Sequence, residues 1–155
     1  MRASILPFAV AVTLISCTST SGGRSTPGPD NVDSSVIAPA ESKADAAERE
    51  ARNWLALTDG GRYDESWGRA ASMFRAAVKE EQWRSAMDSV RAPLSAVESR
   101  TLRSAEYSRE LAGAPDGDYM TIRYATVFAQ KAEAVETVAM TLEKGKWRVA
   151  GYFIR

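Results

Sequence analysis

The hydrophobic period of this chain changes once, close to Pro93, and that single change restricts the folds open to it. Upstream, apolar residues recur with the spacing of a helix. Ser42 with Asp45 three positions on reads as a helix cap, and Ala44, Ala47, Ala51, Trp54, Leu55 and Thr58 then follow one 3.6-residue stripe. Asp59-Gly60-Gly61 stops that helix. Tyr63 and Trp67 are four apart, as are Phe74 and Val78, which predicts one or two short helices. Trp83, Ala86, Met87 and Val90 mark a further helix, which Pro93 ends. Downstream the period falls to two. Residues 96 to 111 read as a long, half-exposed strand, and Ala114-Pro115-Asp116-Gly117-Asp118 as a turn. Over Tyr119 to Ala129, the residues Met120, Ile122, Tyr124, Thr126 and Phe128 share a face. Lys131-Ala132-Glu133 reads as another turn. Val135 to Glu143 is a third strand, with Val138, Met140 and Leu142 on one side, and Lys144-Gly145-Lys146 is a tight hairpin into a last strand, Trp147 to Ile154. Helices first and strands afterwards predict an α+β fold, with N-terminal helices on a curved antiparallel sheet of about four strands.

The beginning of the chain has a different character. Met1-Arg2 supplies a positive start, and Ile5 to Ile15 is apolar except for Thr13. That run is far short of the roughly 20 residues a spanning helix needs, so it reads as an export signal. It ends in Leu14-Ile15-Ser16-Cys17, which resembles the bacterial lipobox. In such signals the Cys becomes the first mature residue and carries acyl chains, its thiolate forming a thioether to diacylglycerol. Lipid attachment at Cys17 is therefore expected, an ordinary cleaved signal with an incidental Cys being the alternative. Thr18 and Ser19 stand where inner-membrane retention would place an Asp, so the resemblance implies the periplasmic face of an outer membrane. Residues 18 to 38 are rich in Ser, Thr, Gly, Pro and Asp and offer little to bury, the composition of a disordered tether. The expected organisation is thus a signal over 1–17, a tether over 18–38 and one domain over 39–155.

Composition excludes more than it assigns. The chain has one Cys and no His, so it can form no internal disulfide, no Ser-His-Asp or Cys-His arrangement and no His-containing metal site. Lys plus Arg and Asp plus Glu are both 20, so no long-range field favours nucleic acid or an anionic membrane surface, and no dense Lys/Arg cluster stands in the sequence. Gly-rich phosphate loops, G-x-S-x-G and S-x-x-K are absent. Asp116-Gly117-Asp118 hints at a calcium loop but lacks the further acidic ligands, and reads as a hairpin turn. Neither a cofactor nor a metal is expected.

A resemblance adds a setting. Trp54-Leu55-Ala56-Leu57, Asp59-Gly60, Tyr63 with Ser66-Trp67, Glu81-Gln82-Trp83 and Arg91-Ala92-Pro93-Leu94 resemble a bacterial family known as domain of unknown function 4019. So do Ala114-Pro115-Asp116-Gly117, Tyr119, Phe128 with Lys131, Val135-Glu136-Thr137-Val138 and the ending Trp147 to Arg155. Lys79 departs from it, because a capping Ser or Thr is expected before that helix. The element order is also similar to the cone-shaped fold of nuclear transport factor two, scytalone dehydratase and ketosteroid isomerase. The family itself implies no reaction.

In cones that catalyse, carboxylates and tyrosines do the work, which singles out Glu136. It alternates onto the face of Val138, Met140 and Leu142, where burying a carboxylate is costly unless it is paired or protonated. Tyr124 and Tyr152 are candidate hydrogen-bond donors beside it, and Arg123 alternates away. The commoner arrangement is a Glu turned to solvent or paired with an Arg. Trp54, Trp67, Trp83 and Trp147 read as core rather than as a pocket lining. The leading functional expectation is a non-catalytic envelope module that binds a small molecule or a protein. Its membrane contact is the lipid on Cys17, and a second copy docked through the sheet is a candidate partner. The alternative is an isomerase- or dehydratase-type enzyme with Glu136 as acid/base and a Tyr as oxyanion donor.

Overall fold

A computed structural model of the chain describes residues 41–155. Cys17, the apolar run before it and the tether lie outside the described residues. The domain is α+β, with helices followed by an open antiparallel sheet whose strands lie side by side in chain order.

Helix α1 spans Lys43–Asp59. The Ser42 hydroxyl oxygen accepts from the Asp45 amide at 3.1 Å, satisfying a donor that the first turn leaves free. Ala47, Ala51, Trp54, Leu55 and Thr58 are buried along the expected stripe, joined by Leu57. Two short helices follow, α2 (Tyr63–Arg69) and α3 (Ser72–Ala77), then α4 (Glu80–Val90). Lys79 is the N-cap of α4, and its amide donates to the Gln82 side-chain oxygen at 3.0 Å, half of a capping box without a Ser or Thr. Of the α4 stripe only Trp83 and Met87 are buried, while Ala86 and Val90 face solvent. A 3-10 turn at Ala92–Leu94 carries the chain past Pro93 into the sheet.

The strands are β1 (Val97–Ser108), β2 (Tyr119–Phe128), β3 (Lys131–Glu143) and β4 (Lys146–Ile154). β2 buries Met120, Ile122, Tyr124, Thr126 and Phe128, so the expected face is the one packed on the helices. Lys131-Ala132-Glu133, expected as a turn, is instead the start of β3, and the turn falls at Ala129-Gln130. The amides of those two residues donate to Ala96 O at 2.9 Å and Leu94 O at 3.2 Å. The preceding loop thus satisfies the turn, and pairing resumes at once even though Lys131, Ala132 and Glu133 are exposed and polar in character.

The core is aromatic where helices meet sheet. Trp83 lies 5.8 Å from Trp54, 5.2 Å from Phe74 and 6.4 Å from Tyr152, with the last two pairs edge to face. Both buried indoles find acceptors on Ser66: Trp54 Nε1 donates to its carbonyl at 2.7 Å and Trp83 Nε1 to its hydroxyl at 2.9 Å. Trp54, Trp83 and Trp147 are core, as expected, although Trp54 and Trp147 also touch a surface cleft, while Trp67 is only half-buried. In a meander, the β1–β2 and β3–β4 turns share one end of the sheet. Helix α1 begins at that end, where Lys43 Nζ lies 3.1 Å from Asp118. It finishes at the opposite end, where Asp59 meets β1 through Arg100.

Candidate functional site

The sheet register carries Glu136 inward. It stands opposite Tyr124 of β2 and Ile154 of β4, on the face of Val138 and Met140, and its exposure is 0%. A bare carboxylate there would be costly, and four donors surround this one. Arg100 of β1 gives Nε to Oε2 at 2.6 Å and Nη2 to Oε1 at 3.1 Å, a bidentate fork. The Thr126 hydroxyl donates to Oε2 at 2.6 Å, and the Tyr152 hydroxyl donates to Oε1.

The network extends to the C-terminus of α1. Arg100 Nη1 and Nη2 reach the two Asp59 oxygens at 2.8 and 3.0 Å. Arg91, at 3% exposure, donates to Asp59 at 3.0 Å and to the Ser95 carbonyl at 2.6 Å, and its guanidinium lies 4.7 Å over the Phe128 ring. Arg91, Asp59, Arg100 and Glu136 thus alternate in charge along one line from the helix layer into the sheet. Burial opposes charge on Asp59, but the Arg100 and Arg91 guanidiniums outweigh it and hold its carboxyl below the usual range. Burial likewise opposes the charge of Arg100, and hydrogen bonds to Asp59 and Glu136 reverse the effect, so its proton is held more tightly than usual.

The tyrosines differ. Tyr152 joins the network, and burial, reinforced by the charge and hydrogen bond of Glu136, pushes its hydroxyl well up. Tyr124 is paired with Glu136 in register yet makes no hydrogen bond to it, and its buried hydroxyl has no protein partner among the described residues. Burial first, then the nearby Glu48, pushes Tyr124 up to about 12, while Arg52 lies 5.2 Å from its ring. Arg123 turns the other way, to Glu106 at 2.5 Å.

Chemically, this constellation is saturated. Each Glu136 oxygen accepts two hydrogen bonds. Asp118 of the acidic turn is likewise engaged, by Lys43 and by the Tyr107 hydroxyl. Sequence reasoning placed Glu136 and Tyr152 but missed Asp59, Arg91, Arg100 and Thr126. Thr126 carried a signal, being a polar residue on the same inward face of the neighbouring strand. Arg100 carried none, because β1 is irregular between Val97 and Ser99 and again between Leu102 and Ser104, so alternation cannot be counted through it.

Open space lies elsewhere. A cleft of about 450 Å³ runs between α1 and β4, and Glu136 does not line it. Its floor includes edges of Trp54, Met140 and Trp147, and its rim carries Arg49, Arg69, Lys146 and Arg148.

No curated protein matches the sequence. The model of a family described as protein of unknown function (DUF4019) matches residues 50–152, which contain the whole Arg91–Asp59–Arg100–Glu136 network. The chain belongs to the DUF4019 family.

Proposed function

We propose that the chain is an envelope lipoprotein, anchored through acylated Cys17 to the periplasmic face of the outer membrane, whose domain is a non-catalytic binding module of cone-like form. The observation that carries the non-catalytic reading is the state of Glu136. With four donors on its two oxygens and no exposure, it is built to hold the four strands together and, through Arg100 and Asp59, to tie them to α1, not to accept a substrate proton. The anchor is supported by the Leu14-Ile15-Ser16-Cys17 sequence and by the tether composition that follows it. No helix among the described residues is long and apolar enough to cross a membrane.

Replacing Cys17 with Ser tests the anchor. The variant is expected in soluble fractions or as an uncleaved precursor. A processed Cys17→Ser protein that stays with membranes after high-salt washing would overturn it. For the binding module, native mass spectrometry of protein released from envelopes should show the chain carrying a bound ligand unaltered.

A further inference from the structure

Resting on that reading, we infer that the end of the domain where α1 begins docks against an anionic lipid surface, the basic cleft and the β3–β4 hairpin beside it receiving lipid phosphates. Arg49, Arg69, Lys144, Lys146 and Arg148 gather here from α1, α2 and the hairpin; Arg49 is paired with Glu41 and Glu50, Arg69 with Glu65 and Arg148 with Glu143, so the uncompensated charge lies on the two lysines. Lys144 and Lys146 are exposed and form no ion pair among the described residues, although the chain as a whole is neutral. Their cationic heads therefore face water, ready to exchange it for an anionic partner.

The position of this patch selects the partner. The chain enters the domain at Ser42, and Lys43 grips Asp118 at the hairpin end of the sheet. The expected tether thus joins the domain at the end that carries the cations, not at the Asp59–Glu136 end. Only the stretch 18–38 separates the expected anchor from the domain, so an anchored domain would meet its own membrane at high effective concentration. Basic residues near an anchor add electrostatic attraction to anionic lipid.

The test uses the chain from residue 18 onward, which keeps every described residue and lacks Cys17, so the result does not depend on acylation. Co-sedimentation is measured with vesicles of phosphatidylcholine containing phosphatidylglycerol, with pure phosphatidylcholine vesicles, and with inorganic phosphate as competitor. Binding is expected only with the anionic vesicles, weakening as salt rises. Lys144→Asn with Lys146→Gln should reduce partitioning about 30-fold, roughly five-fold per lysine. Asn suits position 144, whose φ is 51°. Arg69→Gln tests the same face from α2 and, because Arg69 is already paired with Glu65, should lose less than either lysine. Lys79→Gln with Arg84→Gln removes equal charge from α4 and its N-cap and should change little. No binding to anionic vesicles, or equal loss in the α4 control, would overturn the proposal. So would displacement by low millimolar phosphate, which would assign a site for the free anion. Failure here leaves the Cys17 anchor standing, because that is read separately by fractionation.

Discussion

At the scale of single residues, the decisive feature is how a carboxylate survives at zero exposure. Removing one partner of a buried ion pair costs about 3–5 kcal/mol, because the other charge stays buried and uncompensated. Glu136→Gln would strand Arg100, but Arg100 keeps Asp59 at 2.8 and 3.0 Å. The expected cost is therefore near the lower end, about 3 kcal/mol at neutral pH by urea unfolding. Tyr152→Phe removes one donor and leaves Oε1 its bond to Arg100, so about 1.5–2 kcal/mol is expected, the lower part of the range for a hydrogen bond to a charged group. A Glu136→Gln protein within 0.5 kcal/mol of the wild type, roughly the scatter of surface changes, would show that the network contributes no stability. The inward direction of Glu136 was legible, because β3 alternates cleanly between Ala134 and Val138. Its partner was not: an Arg in an irregular edge strand has no countable face, and Asp59 reads first as part of a helix stop.

At the scale of elements, α1 and β2 follow from periodicity with little adjustment, since their buried stripes are unbroken, whereas the α4 stripe is only half buried. The β3–β4 hairpin also follows. Lys144 and Gly145 have φ of 51° and 76°, both positive, as the twist of a two-residue hairpin demands. What periodicity could not supply is the segment from Arg91 to Ala96, whose conformation is imposed from outside. Leu94 and Ala96 carbonyls accept from the β2–β3 turn and the Ser95 carbonyl accepts from Arg91. Held at both sides, Ser95 sits at φ 63°, ψ −149°, a region that only glycine adopts without strain. Such strain costs on the order of 1–3 kcal/mol, and a glycine returns about 0.5–1 kcal/mol of chain entropy to the unfolded state. Ser95→Gly should therefore stabilise the domain by about 1 kcal/mol, seen as a higher urea midpoint at unchanged slope. A lower midpoint would mean that the Ser side chain, and not the backbone, determines this loop.

At the scale of the whole molecule, one line of alternating charge joins the end of α1 to the sheet, while the start of α1 is held at the hairpin end by Lys43 and Asp118. The helix layer is thus fixed to the sheet at both ends by ionic contacts, and in the middle by Trp54 and Trp83. This arrangement predicts how the domain yields to acid. Asp59 has a folded pKa below its unfolded value of about 3.9, so the folded state favours the ionised form. The stability it contributes is fully present above the unfolded value and is lost as pH falls through the folded one. Asp59→Asn removes that contribution at neutral pH, where two guanidiniums lose a charged acceptor. Asp59 keeps 27% of its side chain in water, which weakens the effect relative to Glu136, so about 2 kcal/mol is expected at pH 7. Urea midpoints of the two proteins should converge as pH is lowered below about 3.9, because the wild-type carboxyl then becomes neutral as well. Midpoints that stay equally separated at acid and neutral pH would show that Asp59 acts through packing, and would remove the ionic link between α1 and the sheet.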